Sequence, residues 1–174
     1  MKKSNENTSD IKKDERRICP KLTLKLKRRY DIPESYKSEP DGLMQKLVTD
    51  TLLSYVIEYQ KEYKEKKMDS SIPIQICYKD FCGKMNYKLH WRSCKLYSLL
   101  WNISNTCVEN NLPPITAVII NKGLKRPGDA FFECFYPDVQ AKKYKEQFKI
   151  CLENIIQCKE WENLREQLLS VYDK

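Results

Sequence analysis

A mainly helical α+β fold is what this chain predicts, on three observations. Apolar residues recur at three- and four-residue spacing over two long stretches, 42–67 and 93–111, the pattern of amphipathic helices. Two further apolar runs, 115–120 and 130–135, flank the turn-forming stretch Asn121-Lys-Gly-Leu-Lys-Arg-Pro-Gly-Asp129, which is the pattern of a β-hairpin. A short apolar-faced stretch, 78–85, precedes the second long helix across a basic connector, 87–92. Short helix, turn, longer helix and two-stranded hairpin is the order of a winged helix-turn-helix. The expectation is therefore a winged-helix-like core with a β-hairpin over 72–135, flanked by long helices.

The 174 residues suit one globular domain, 38–174, preceded by a flexible basic arm, 1–37. Hydrophobic residues make up 41% and charged residues 32%, a balance that fits a small soluble fold with polar tails rather than a membrane protein. No apolar run approaches the roughly 18 residues that a membrane span needs. The first fourteen residues carry no hydrophobic segment of the kind a secretory signal requires. A cytoplasmic protein with no membrane partner is expected. In that compartment the eight cysteines should be free thiols that pack as small hydrophobes, with Cys107 and Cys134 among the buried ones. A disulfide framework has no export signal to support it.

The net charge of +8 is unevenly placed. Residues 1–37 hold twelve Lys and Arg against six Asp and Glu, and residues 79–127 hold eight against two, so each segment carries a surplus of six positive charges. Residues 38–78 (five against seven) and 128–174 (seven against nine) are each negative by two. Basic charge gathered on the arm and on the helix-turn-helix segment is the footprint of a surface for nucleic acid.

Taken in order, 1–17 is polar and of mixed charge and reads as disordered. Leu22, Leu24 and Leu26 alternate as on an edge strand or an arm that orders on a partner, followed by the basic cluster Lys25, Lys27, Arg28 and Arg29. Pro33 and Pro40 mark a linker, and Ser38 with Asp41 three residues on reads as a helix start. Met44, Val48, Leu52, Tyr55, Val56, Tyr59 and Tyr63 make one face of the first long helix. Residues 72–77 form a short strand, and 78–85 a helix with Phe81, Cys82 and Met85 inward. Ser93 caps the next helix, whose buried stripe is Leu96, Leu99, Leu100, Ile103 and Cys107; Asn110, Asn111, Pro113 and Pro114 stop it. The β-branched run 115–120 is a buried strand, and 130–135 pairs with it. Pro137 and Asp138 open a helix with Tyr144, Phe148, Cys151, Leu152, Ile155 and Ile156 inward. A break near Lys159 precedes a last helix carrying Trp161, Leu164, Leu168 and Tyr172.

A recognition helix presents its first turn to a groove while nearby cations hold phosphates. Lys88, Arg92, Ser93 and Lys95 stand at that position, and Lys122, Lys125 and Arg126 occupy the hairpin turn, where a wing would meet the backbone. Lys25, Lys27, Arg28 and Arg29 of the arm would add affinity. Trp91 at the helix start either stacks on a base or plugs the core. Cys77, Cys82, His90 and Cys94 supply four soft ligands within 18 residues, a set that zinc accepts, although the spacing lacks a tight Cys-x-x-Cys knuckle and Cys82 also fits a buried helix face. His90 is the single histidine, no partner carboxylate for a nucleophile stands out, and four glycines do not build a phosphate loop. The expectation is no enzyme activity and no cofactor.

Two resemblances add to this. Ile76-Cys-Tyr-Lys-Asp-Phe-Cys82, the helix after Ser93, and Leu112-Pro-Pro-Ile-Thr-Ala-Val-Ile-Ile-Asn121 together resemble the C-terminal domain of alkylguanine-DNA alkyltransferases and alkyltransferase-like proteins. That resemblance implies a winged helix-turn-helix on DNA, with Arg92 matching the family's arginine at the recognition-helix start. The Pro-Cys-His-Arg active-site motif is absent: Pro114 is followed by Ile115, Thr116 and Ala117, so only the scaffold carries over. Second, Asn111-Leu-Pro-Pro-Ile-Thr-Ala-Val-Ile-Ile-Asn-Lys-Gly123, with Pro127-Gly128 and Trp161, resembles an uncharacterised domain of bacterial phages and mobile elements, some of whose members sit beside HNH nuclease domains. It implies a phage, prophage or anti-phage setting; no HNH motif is present here.

The resulting expectation is a non-catalytic nucleic-acid-binding protein, with DNA the first partner to consider, contacting backbone through a basic helix-turn-helix and wing. The alternative is a protein-binding inhibitor or adaptor of the anti-defence type that acts on a nucleic-acid enzyme, or a subunit of a defence or restriction complex.

Overall fold

The computed structural model describes residues 41–65 and 74–171. The basic arm with Lys25, Lys27, Arg28 and Arg29, the Ser38 cap, Ile72 and Tyr172 lie outside the described residues. The elements are α1 (Asp41–Glu65), β1 (Ile76–Cys77), α2 (Tyr78–Lys84), α3 (Cys94–Glu109), a 3-10 turn (Ile115–Val118), β2 (Ile119–Ile120), α4 (Asp129–Phe135), a second 3-10 turn (Ala141–Lys143), α5 (Tyr144–Gln157) and α6 (Trp161–Ser170). The fold is mainly helical, with two short strands paired in parallel, Ile76 opposite Ile119 and Cys77 opposite Ile120.

The long helix α1 packs against α6 on one flank and α3 on another. Its inward positions Val48, Leu52, Leu53 and Val56 are fully buried, as the three-and-four spacing predicts. Buried polar residues complete that face. Gln45 donates from Nε2 to the Leu99 carbonyl (3.1 Å) and accepts at Oε1 from Asn102 Nδ2 (3.1 Å), fixing α1 to α3. Fifteen residues on, the Gln60 amide meets the carbonyls of Ile155 (3.1 Å), Ile156 (2.9 Å) and Cys158 (2.7 Å) at the end of α5. A helix end leaves such carbonyls without intrahelical partners, so one side chain from α1 satisfies the terminus of another helix. Trp161, fully buried, adds its indole N–H to Ile155 O at 2.9 Å and anchors α6.

Helices α2 and α3 follow the sequence pattern closely. Phe81, Cys82 and Met85 are buried, as are Leu96, Leu99, Leu100, Ile103 and Cys107. Ser93 Oγ accepts from Leu96 N (3.1 Å), the expected N-cap. Both helices close with paired terminal bonds. Asn111 N donates to Val108 O and Leu112 N to Cys107 O after α3, and Asn86 N to Gly83 O and Tyr87 N to Cys82 O after α2. Asn86, Tyr87 and Asn111 have φ between 53° and 58°, the left-handed conformation that this closure requires.

The expected β-hairpin is where the structure departs from the sequence reading. Of the run 115–120, only Ile119 and Ile120 are extended. The preceding residues coil into a 3-10 turn, with Ala117 N bonded to Pro114 O (3.1 Å) and the buried Thr116 hydroxyl 2.6 Å from that of Ser104. The strand pairs with β1 rather than with a following strand. The 121–126 turn closes on a single antiparallel bridge between Asn121 and Arg126 and stops there, because Pro127 has no N–H to extend a ladder. Residues 130–135 are helical, not a strand. Asp129 sits in the first turn of α4, where the helix dipole favours an acid, and Phe131, Phe132 and Phe135 recur at helical spacing. Phe132 is buried and stacks on Tyr144 at 4.4 Å. That phase also turns Cys134 outward, against the expectation that it would be buried. Pro137 and Asp138 form a turn rather than a helix start; α5 begins at Tyr144, and its expected inward residues are buried or half-buried.

Candidate nucleic-acid interface

Two parallel strands leave their pairing at the same end. Tyr78, the first residue after β1, and Asn121, the first after β2, are therefore neighbours, and the N-terminus of α2 lies beside the 121–126 turn. Tyr78 packs edge-on against Tyr97 in the first turn of α3 (5.4 Å between rings), so the start of α3 reaches the same end of the molecule. Burial first, and the neighbouring Tyr97 second, push the Tyr78 phenol up to about 12, so it stays neutral in ordinary conditions.

The connector before α3 is tightly turned. Tyr87 is left-handed (φ 54°), unusual for a bulky residue, and a side chain on Gly83 would lie 3.3 Å from the Tyr87 hydroxyl, so glycine leaves the ring its place. Lys88 is exposed. His90 Nδ1 accepts from Arg92 N (3.2 Å). The Arg92 guanidinium lies 4.3 Å over the ring of Trp91, which is half-buried against the core. Trp91 is thus a platform that holds Arg92 while keeping it exposed. The Ser93 hydroxyl accepts the capping bond and retains its O–H as a donor.

The 121–126 turn is organised by Asn121, whose Oδ1 accepts from Gly123 N (2.9 Å) and Leu124 N (3.3 Å) and whose carbonyl accepts from Lys125 N (2.8 Å). Lys122 and Lys125 are exposed, Lys125 at φ 53°. Among the described residues no carboxylate pairs with Lys88, Arg92, Lys122 or Lys125.

Two of the residues singled out from sequence are placed differently. Arg126 is only 21% exposed in its side chain. It pairs with Asp129 (2.8 Å), donates to the Pro127 carbonyl (2.9 Å), and lies over the rings of Phe132 and Tyr144 at 5.5 and 5.6 Å. It holds the turn onto α4 and α5 and is not a free cation. Lys95 is half-buried and engaged within the protein. It stands seven residues before Asn102, on the flank of α3 that faces α1.

Cys77, Cys82, His90 and Cys94 do not converge. Cys82 is buried, and burial raises its thiol above the ordinary range. Cys77 donates to Asp80 Oδ2 at 2.8 Å. Among the described residues no three His, Cys, Asp or Glu gather into a metal-binding group. No described helix is long and apolar enough to cross a membrane.

One feature of this end escaped the sequence reading. Tyr97 and Trp101 remain 44% and 41% exposed on the outer face of α3, with Val108 on the same edge. Trp101 packs against Phe135 of α4 (5.0 Å), which in turn touches Phe131 (5.2 Å). The signal was in the chain: from Leu96 to Val108 there is not one charged residue, although half of such a helix faces water. Comparison of the chain with protein-family models, curated proteins and solved structures gives no match.

Proposed function

We propose that this protein is a non-catalytic nucleic-acid binder that grips the phosphate backbone with Lys88, Arg92, Lys122 and Lys125. In this reading α2, its turn and α3 act as the helix-turn-helix of a winged-helix-like core, and the compact 121–126 turn takes the part of a wing. The Ser93 hydroxyl and the amides at the start of α3 are further donors for a phosphate. The arm residues Lys25, Lys27, Arg28 and Arg29 would add charge to the same contact. A phage, prophage or anti-phage setting follows only from the sequence resemblance and belongs to this proposal.

The observation that carries it is the local shortage of acids. Four exposed cations on the α2–α3 connector and the 121–126 turn have no carboxylate partner among the described residues, and residues 79–127 hold only two acids, Asp80 and Glu109, whereas the exposed Lys145 and Lys149 of α5 stand among Glu146 and Glu153. Arg92, Lys122 and Lys125 stand at the end where the two strands stop, and together with Lys88 they leave a positive potential that a polyanion can neutralise.

The test is binding of labelled duplex DNA, single-stranded DNA and RNA to the full chain over a salt series. If about four phosphates are neutralised, the logarithm of affinity for duplex falls with the logarithm of salt with a slope of roughly 3 to 4. Replacing Lys122 and Lys125 together by Glu should weaken binding at least tenfold, while Lys61→Glu leaves it unchanged. Absence of binding at low salt to all three probes overturns the proposal.

A further inference from the structure

We infer that the ligand is engaged as a single strand, with bases stacked on Tyr97 and Trp101 of α3. This rests on the nucleic-acid reading above and narrows it to a ligand class. Exposed rings on an uncharged helix face are poorly used against a duplex, whose base faces are already stacked. A single strand offers those faces, and stacking on aromatic side chains is the usual way that such strands are held.

Three observations converge on it. First, the two rings are held in position before any ligand arrives. Trp101 is backed by Phe135 at 5.0 Å and Tyr97 by Tyr78 at 5.4 Å, so each has ordered support and still presents surface to solvent. Second, they are four residues apart on one helix edge, about 6 Å along the axis, which lets successive bases be taken one on each ring. Third, the charge is complementary. From Leu96 to Val108 the helix contributes no carboxylate that would repel phosphates, and Arg92, Lys122 and Lys125 lie toward the Tyr97 end of the row. Arg92 precedes α3 directly, and the turn with Lys122 and Lys125 adjoins Tyr78, the ring that backs Tyr97. A strand entering over those cations would carry its phosphates past them and its bases onto the rings.

The experiment compares a labelled oligothymidine of about twelve nucleotides with a duplex of the same length, by anisotropy at one ionic strength. The single strand should bind at least tenfold more tightly. Trp101→Ala should lower single-strand affinity by roughly five- to a hundredfold and leave duplex affinity unchanged, with Trp101→Phe restoring most of it. Tyr97→Ala should act in the same direction. Oligothymidine should also quench tryptophan emission in the wild type more than in Trp101→Phe. Circular dichroism identifies any variant that fails to fold; Tyr97→Ser is the substitute in that case, with the same expected loss.

Equal binding of both probes, unmoved by Trp101→Ala and Tyr97→Ala, overturns this inference and leaves the backbone reading standing. No binding of either probe at low salt overturns both. Self-association that depends on concentration and is abolished by Trp101→Ala, without any effect of that change on the nucleic-acid probes, assigns the aromatic row to a second copy of the chain and also overturns the inference.

Discussion

The buried contacts of the α1–α5–α6 side and the exposed surface of the α2–α3 end treat polar groups in opposite ways. On the first, nearly every polar side chain that reaches the helix contacts is committed. Gln60 caps three carbonyls, Trp161 bonds to one of the same carbonyls, Arg165 Nε donates to Asp50 Oδ1 at 2.7 Å, and Lys61 pairs with Glu162 at 3.0 Å. At the second, Lys88, Lys122 and Lys125 project without a described acid beside them, Arg92 rests on Trp91, and Tyr97 and Trp101 are left open to solvent. Internal bonds of the first kind add stability. Exposed cations of the second kind add almost none, because solvent already satisfies the charges, and the exposed parts of the two rings gain nothing until something covers them. The difference teaches that the two ends should respond separately to mutation, one through folding and the other through association.

The largest expected effect breaks the first side. Trp161→Ala removes a fully buried indole and the N–H that meets Ile155 O. Loss of a buried Trp costs roughly 3–5 kcal/mol, a large part of the stability of a domain of this size. Chemical denaturation should show a midpoint lowered in proportion, with the slope little changed. A loss below about 1 kcal/mol would mean that α6 is not anchored as described.

Next in size is a response to alkaline pH. Burial pushes the Cys151 thiol up to about 12 and raises Cys107 further from its ordinary range. For both, the folded state holds a proton that the unfolded chain releases near pH 9. Their contribution is therefore complete below that pH and is lost as pH rises toward the folded values. As pH rises above the ordinary thiol range, each such thiol should weaken folding progressively. Cys107→Ala and Cys151→Ala should each flatten the fall of thermal midpoint with pH, measured under reductant. Cys94→Ala and Cys134→Ala, at exposed sites, should leave it as it is.

How much of this was legible beforehand follows from the range of the interactions involved. The helices α1, α2, α3, α5 and α6 were readable because each buries one face, and the periodicity of Val48, Leu52 and Val56, or of Leu96, Leu100 and Ile103, records that face locally. The Ser93 cap and the Asn111 stop were readable for the same reason. The hairpin was misread because β-branched and aromatic runs do not say what they pair with. Ile119 pairs with Ile76, forty-three residues earlier, and Phe132 meets Tyr144 across a helix-helix contact, and neither partner is marked in the run itself. The candidate site was half legible. Lys88, Arg92, Lys122 and Lys125 are exposed, as a backbone contact requires, but nothing in a row of basic letters separates Lys125 from Arg126. The aromatic row needed the uncharged stretch 96–108 to be weighed as an outer face as well as an inner one.

Lys125 and Arg126 bring the whole comparison down to adjacent residues, and they supply the smallest expected effects. Arg126 bonds to Asp129 and the Pro127 carbonyl and lies over two rings, so it resembles the committed side of the molecule. Its Asp129 partner is 60% exposed, which reduces the worth of the ion pair, so Arg126→Gln should cost about 1 kcal/mol, mostly through the lost aromatic cover and the carbonyl bond. Lys125 is exposed and held at φ 53°, a conformation that glycine adopts without strain. Lys125→Gly should therefore leave stability unchanged or raise it by up to about 1 kcal/mol, while weakening association with nucleic acid. If Arg126→Gln instead leaves the thermal midpoint in place and weakens binding more than Lys125→Gly does, Arg126 leaves Asp129 for the ligand. The whole turn would then belong to the available set, and the division between committed and available cations would fall between the two sides of the molecule and not inside the turn.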